Sequence, residues 1–103
     1  MALRQVLEEQ IRRNHKNIAM YQEKVSSLPK GTIHVRKVNG KEYYYLKFRD
    51  SEGKRVDRYI KKIDLAIVKH ELNTRKQIEQ WIKEMEDDIK LAEKALGDIP
   101  KSK

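Results

Sequence analysis

The chain has 103 residues, 39% of them charged and 38% apolar, with a formal net charge of +8. That length is one domain's worth, and the periodic placing of the apolar residues speaks for folded structure rather than disorder. The absence of cysteine excludes a disulfide framework, a thiolate zinc site and a cysteine nucleophile. No apolar run approaches the ~18 residues of a membrane span, and nothing at the start reads as a signal peptide, so a cytoplasmic protein is expected.

Residues 1–28 read as a helix whose pattern begins at Leu3. Leu7, Ile11, Asn14, Ile18, Tyr21, Val25 and Leu28 recur at alternating spacings of four and three, a heptad seam with one polar member. Asn14 on that seam is expected either to fix the register or to sit in a wet gap. Pro29 and Gly31 end the helix.

Residues 32–61 read as three antiparallel strands. Asn39-Gly40 is a two-residue hairpin signal, because both positions of that turn take positive φ. It sets Val35 opposite Tyr44 and Ile33 opposite Leu46. Asp50-Ser51-Glu52-Gly53 suits a three-residue loop with Gly53 left-handed, which sets Phe48 opposite Val56, Tyr44 opposite Ile60 and Lys47 opposite Asp57. Alternation then separates two faces. Ile33, Val35, Tyr44, Leu46, Phe48, Val56 and Ile60 are expected to point toward the helices. His34, Arg36, Tyr43, Tyr45, Lys47, Arg49, Arg55, Asp57, Tyr59 and Lys61 are expected to point away.

Residues 63–97 read as a second helix, with residues 98–103 as a frayed tail. Ile78, Ile82, Met85, Ile89, Ala92, Leu96 and Ile99 form its seam. Ile60, Ile63 and Ile67 do not continue that seam in phase, and the polar stretch Lys69–Gln77 lies between. A bend is one outcome, and Thr74 with Gln77 could cap a new helix; a continuous helix with a shifted stripe is the simpler one. Gly97 and Pro100 are stop signals. The fold class is therefore α+β: two long helices as an antiparallel coiled-coil-like pair, with a three-stranded antiparallel sheet inserted between them.

Residues that could carry chemistry are scarce. His15, His34 and His70 fall on three different elements with no ligand spacing between them. Glu84 and Asp88 share a helix face and could hold a divalent cation only with ligands from outside; a solvated acidic face is the simpler account. There is no glycine-rich phosphate loop and no nucleophile–base pairing. No catalytic residue, metal or cofactor is expected, and the protein is not read as an enzyme. Trp81 lies beside the second seam, either covering its edge or anchoring a partner.

Charge points elsewhere. Residues 30–62 carry eleven basic and four acidic side chains, against eight and nine for residues 63–103. Such a field attracts polyanions. On the outward sheet face, Arg36, Lys47, Arg49, Arg55 and Lys61 can neutralise phosphates. Tyr43, Tyr45 and Tyr59 can stack on bases or hydrogen-bond to the backbone. The plain alternative is a solvated face on which tyrosine is favoured by strand propensity. Another is that the face packs on a helix.

The stretch LPKGTIHVRKVNGKEYYYLKFRDSEGKRVDRYI, Leu28 to Ile60, resembles the core motif of a small uncharacterised family of bacteria, archaea and their mobile elements. Its members carry a helix, an L-P-K-G turn, a G-K-x-Y-Y-Y-L strand and a helix rich in Glu and Lys. That resemblance implies the architecture and no mechanism. The segment from Thr32 also resembles the three-stranded arm-binding domain of phage-type integrases, which lays such a sheet in the DNA major groove; the long flanking helices and the lack of a recombinase domain depart from it. The expected function is a non-enzymatic nucleic-acid-binding module, with DNA favoured over RNA as partner. The alternative is a protein-interaction module of a phage or mobile element, an anti-CRISPR-like inhibitor or an antitoxin-like partner, whose target is a protein that can itself be bound to nucleic acid. A homodimer through the helices is a further candidate.

Overall fold

The computed structural model describes residues 2–99. Its elements run helix, three strands, helix: α1 (Leu3–Ser26), β1 (Thr32–Val38), β2 (Lys41–Arg49), β3 (Arg55–Ile60), a 3-10 turn (Lys62–Asp64) and α2 (Leu65–Asp98). The class is α+β, with the sheet between the two helices in the chain. The expected frayed tail falls largely on residues 100–103, outside those described. The contacts divide the chain into two compact units, one made of residues 1–27 and 77–103 and the other of residues 28–76.

The first unit is a helical hairpin. Arg4 donates to the Ile99 carbonyl at 3.3 Å, and the Tyr21 and Trp81 rings meet at 5.7 Å between centroids, so α1 and the second part of α2 run antiparallel. Both heptad seams face inward: Ile18, Ile78, Ile89 and Ala92 are buried, and Leu7, Ile11, Tyr21, Val25, Ile82, Met85 and Leu96 are half-buried. Asn14 sits on the same seam with its Nδ2 buried and without a hydrogen-bond partner. The helix α1 stops at Ser26, two residues before Leu28. Ser26 and Ser27 turn their hydroxyls back onto the Glu23 and Lys24 carbonyls at 2.6 and 2.7 Å, and Leu28, which precedes a proline, is steered away from helical ψ.

The second unit is the sheet with the opening turns of α2. The strand order is β1-β2-β3, all antiparallel. Asn39 and Gly40 take φ of 51° and 79°, the mirror-image turn that matches strand twist. Val38 accordingly pairs with Lys41, Val35 with Tyr44 and Ile33 with Leu46. At the second hairpin, the Asp50 carboxylate accepts the backbone N–H groups of Glu52 and Lys54, each at 2.9 Å. Gly53, at φ 81°, donates to the Asp50 carbonyl at 3.0 Å. That loop delivers the expected register, with Tyr44 opposite Ile60 and Phe48 opposite Val56.

The inner sheet face buries less than the pattern suggested. Leu46 and Ile60 are almost fully enclosed; Ile33, Tyr44, Phe48 and Val56 are half-buried. Val35 is 53% exposed, although its side chain is on the expected face. The first turns of α2 cover only part of that face: Lys69, Leu72, Asn73 and Lys76 line a groove with Gly31, Thr32 and Ile33, and Arg75 donates to the Leu28 carbonyl at 2.9 Å. Beyond that cover the face turns polar. Lys37 lies 4.0 Å from Glu42, and Tyr44 donates to Glu42 at 2.9 Å, a bond to a carboxylate that raises the Tyr44 hydroxyl above its usual pKa. The helix α2 is unbroken from Leu65, so Thr74 caps nothing. Its early inward residues are Leu65, Val68 and Leu72, half-buried, while Ile63 and Ile67 are exposed. The helix passes through Gly97 to Asp98.

Gly31 has a specific duty. It takes φ +121°, and a Cβ built there would lie 2.3 Å from the Lys47 carbonyl oxygen and 2.9 Å from the Phe48 Cβ. Gly31→Ala therefore strains the backbone, costing at least about 1–3 kcal/mol, and also pushes β1 off β2; urea unfolding checks this. By the same measurement Leu46→Ala should cost about 2–5 kcal/mol and Val35→Ala less than about 1 kcal/mol. Equal costs at the two positions would mean that the helix covers the whole face.

Candidate nucleic-acid interface

The opposite face of the sheet belongs wholly to the second unit. Strand pairing sets Arg36 across from Tyr43, His34 across from Tyr45, Tyr45 across from Tyr59, Lys47 across from Asp57 and Arg49 across from Arg55. These side chains alternate with the buried Leu46 and Ile60, so the pleat turns them all the same way. Lys41, which was not among the expected residues, joins them through its i, i+2 relation to Tyr43. The signal for it was the same alternation, read one step further toward the hairpin. Lys61 lies just past β3 in extended backbone, φ −62° and ψ 141°, and is outside the ladder.

The tyrosines form a cluster rather than three independent platforms. Tyr59 is its centre, 6.5 Å from Tyr43 and 5.8 Å from Tyr45 between ring centroids, the latter edge-on. The Arg36 guanidinium lies over the Tyr45 ring at 5.2 Å, a cation–π geometry. Tyr43 and Tyr45 are half-buried by these contacts, whereas Tyr59 is 53% exposed. The ring most open to a flat partner is therefore Tyr59.

Cations flank this ridge. Arg36, Lys41, Lys47, Arg49 and Arg55 are all exposed, and Asp57 is the single acid among the strand residues of this face. Arg49 is spoken for in part: it donates to the Gly53 carbonyl at 2.9 Å, folding back over its own turn. His34, Lys47, Arg49, Arg55 and Asp57 line a shallow depression toward the β2–β3 end, edged by Phe48 and Val56. Counted over whole units, residues 28–76 carry fourteen basic and six acidic side chains, and the helical hairpin carries ten of each. The entire excess charge thus resides in the unit that holds this face. Trp81 belongs to the other unit, where it packs on Tyr21, and is not a member of this cluster.

Among the described residues no group of three His, Cys, Asp or Glu side chains is placed to hold a metal ion, and no helix is long and apolar enough to cross a membrane. The face offers guanidinium and ammonium donors around an aromatic ridge, a chemistry suited to phosphates.

Arg36→Ala removes an exposed cation–π contact and should change stability by only about 0.5–1 kcal/mol. Thermal unfolding followed by circular dichroism checks it, and a near-wild-type melting curve would show that this face can be altered without disturbing the core.

No curated protein and no solved structure matches the chain. A family model described as a domain of unknown function, DUF6788, matches residues 2–70. That span takes in α1, the whole sheet and the first turn and a half of α2, so the elements that build the candidate face are all inside it. The chain belongs to this family of unknown function, DUF6788.

Proposed function

We propose that the protein is a non-enzymatic nucleic-acid-binding module whose outward sheet face lies against the phosphate backbone of duplex DNA. The observation that carries this reading is the segregation of charge. One pleated surface gathers Arg36, Lys41, Lys47, Arg49 and Arg55 with a single acid, around tyrosines able to hydrogen-bond to phosphate or sugar. Dimensions support a duplex. Three strands at about 4.8 Å spacing span about 10 Å, within the ~12 Å of a B-form major groove, and β-sheet readers enter DNA in this way. The resemblance of the sheet to integrase arm-binding domains points in the same direction by analogy of fold. The tyrosine cluster favours the duplex over a single strand, because Tyr43 and Tyr45 are occupied by Tyr59 and Arg36 and only one ring is left to stack.

The test is a titration of labelled duplex DNA, single-stranded DNA and RNA over a salt series. With Arg36, Lys41, Lys47, Arg55 and Lys61 each neutralising a phosphate, log affinity for duplex should fall against log salt with a slope near −4 to −5, from about 0.9 per contact. Lys47→Ala with Arg55→Ala should reduce that slope by about 2 and leave the fold intact. Tyr59→Ala should weaken single-strand binding more than duplex binding, by ~1–3 kcal/mol if its ring stacks on a base. No binding to any of the three at ~50 mM salt would end the nucleic-acid reading and leave the tyrosine ridge as an anchor for a protein partner, a role in which tyrosine is enriched.

A further inference from the structure

The helical hairpin has a second, unpartnered stripe. Its buried residues are few: Ile18, Ile78, Ile89 and Ala92. Among the described residues of the same unit, five large apolar side chains are left exposed: Leu3, Val6, Met20, Trp81 and Leu91, from 39% for Val6 to 67% for Leu91. Helical periodicity of 100° per residue places all five on one flank of the hairpin, roughly a quarter turn from the seam. The groove lined by His15, Ala19, Gln22, Glu86 and Lys90 is on the other flank. The Arg4–Ile99 and Tyr21–Trp81 contacts set the heights: Leu3 and Val6 lie at one end of the stripe, Met20 and Trp81 at the other, and Leu91 near the middle. Between them, at nearly equal height, stand Arg13 on α1 and Asp88 on α2. Both are exposed, and among the described residues neither is held by an ion pair of its own protomer.

We propose that this flank is an interface with a second copy of the chain, forming a four-helix bundle with two-fold symmetry. Charge complementarity selects both the partner and the arrangement. The helix α1 carries five basic and three acidic residues, and residues 77–98 of α2 carry three basic and seven acidic. The hairpin is thus its own complement when α1 of one copy lies on α2 of the other. A two-fold axis parallel to the helices does this. It sets Arg13 against the partner's Asp88, and by symmetry the reverse, as an isologous interface requires. The same operation sets Met20 on the partner's Trp81 at one end of the stripe and makes all neighbouring helices antiparallel. The perpendicular two-fold would set α1 on α1 and α2 on α2, opposing like net charge to like.

The experiment is sedimentation equilibrium of the full chain between about 1 and 200 µM, with the single Trp81 as a fluorescent reporter. The expected species is a dimer of twice 12.3 kDa, with Trp81 emission shifting to shorter wavelength as it forms. Leu91→Glu should give a monomer of unchanged helicity by circular dichroism. Arg13→Glu and Asp88→Arg should each weaken self-association by at least about tenfold, since each opposes like charges twice across the axis. Mixing these two variants should restore the dimer. In that heterodimer the two substituted side chains meet at one contact, reversed in sign but still opposite, and the unaltered Arg13 meets the unaltered Asp88 at the other. A monomer at 200 µM, a dimer indifferent to Leu91→Glu, or two charge variants that fail to rescue each other would overturn the proposal.

Discussion

The two-residue turn at Asn39-Gly40 sets the parity of the sheet, and the candidate face depends on that parity. Side chains alternate with period two, so a slip of one residue between β1 and β2 would send Tyr44, Leu46 and Phe48 outward and bring Tyr43, Tyr45 and Lys47 into the core. The turn prevents this because both residues hold positive φ, a conformation that asparagine and glycine tolerate and most residues do not. The Asp50 carboxylate reinforces the setting from the other end of β2 by tying down two backbone N–H groups of its loop. Leu46 at the centre then locks the result, since any other parity would place a charged or phenolic side chain where only 1% of a leucine is exposed.

The chain also separates its electrostatics from its packing. All of the excess positive charge lies in residues 28–76, while the helical hairpin is neutral as a unit. Within the sheet unit the charge is sorted again by the pleat. The inner face tempers its cations with Glu42, which meets both Lys37 and Tyr44, and the outer face leaves five cations to one acid. Concentration of like charge on a folded surface is unfavourable by itself. It is tolerated here because the side chains are solvated, with Arg36 spread over an aromatic ring and Arg49 turned onto a carbonyl.

The helices make a different compromise. A two-helix hairpin can enclose only one stripe of each partner, and the small number of buried residues reflects that geometry. The seam carries one polar member, Asn14, whose Nδ2 is buried with no protein partner among the described residues. The aromatic contact of Tyr21 with Trp81 and the Arg4 bond to Ile99 hold the two ends in the register that the isoleucine seams prefer.

Local rules were enough for the element order, both turns, the strand register and the two heptad seams. Each is written within a few neighbouring residues: a turn dipeptide needing positive φ, an alternation of period two, a repeat of four and three. By themselves these patterns also identified most of the basic face, and the same alternation carried one step further adds Lys41, paired with Val38. Other features were decided by tertiary structure, because periodicity says which side chains share a face and not how far another element reaches across it. Val35 is exposed because the opening turns of α2 stop short of it. Leu65, Val68 and Leu72 share the inward face of α2 at spacings of three and four, while Ile63 and Ile67 are exposed. Tyr43 and Tyr45 became a packed cluster, and Arg49 a clasp on Gly53, through distances that no spacing in the sequence encodes. The need for glycine at position 31 belongs to the same class, since it arises from the carbonyl of a residue on the neighbouring strand.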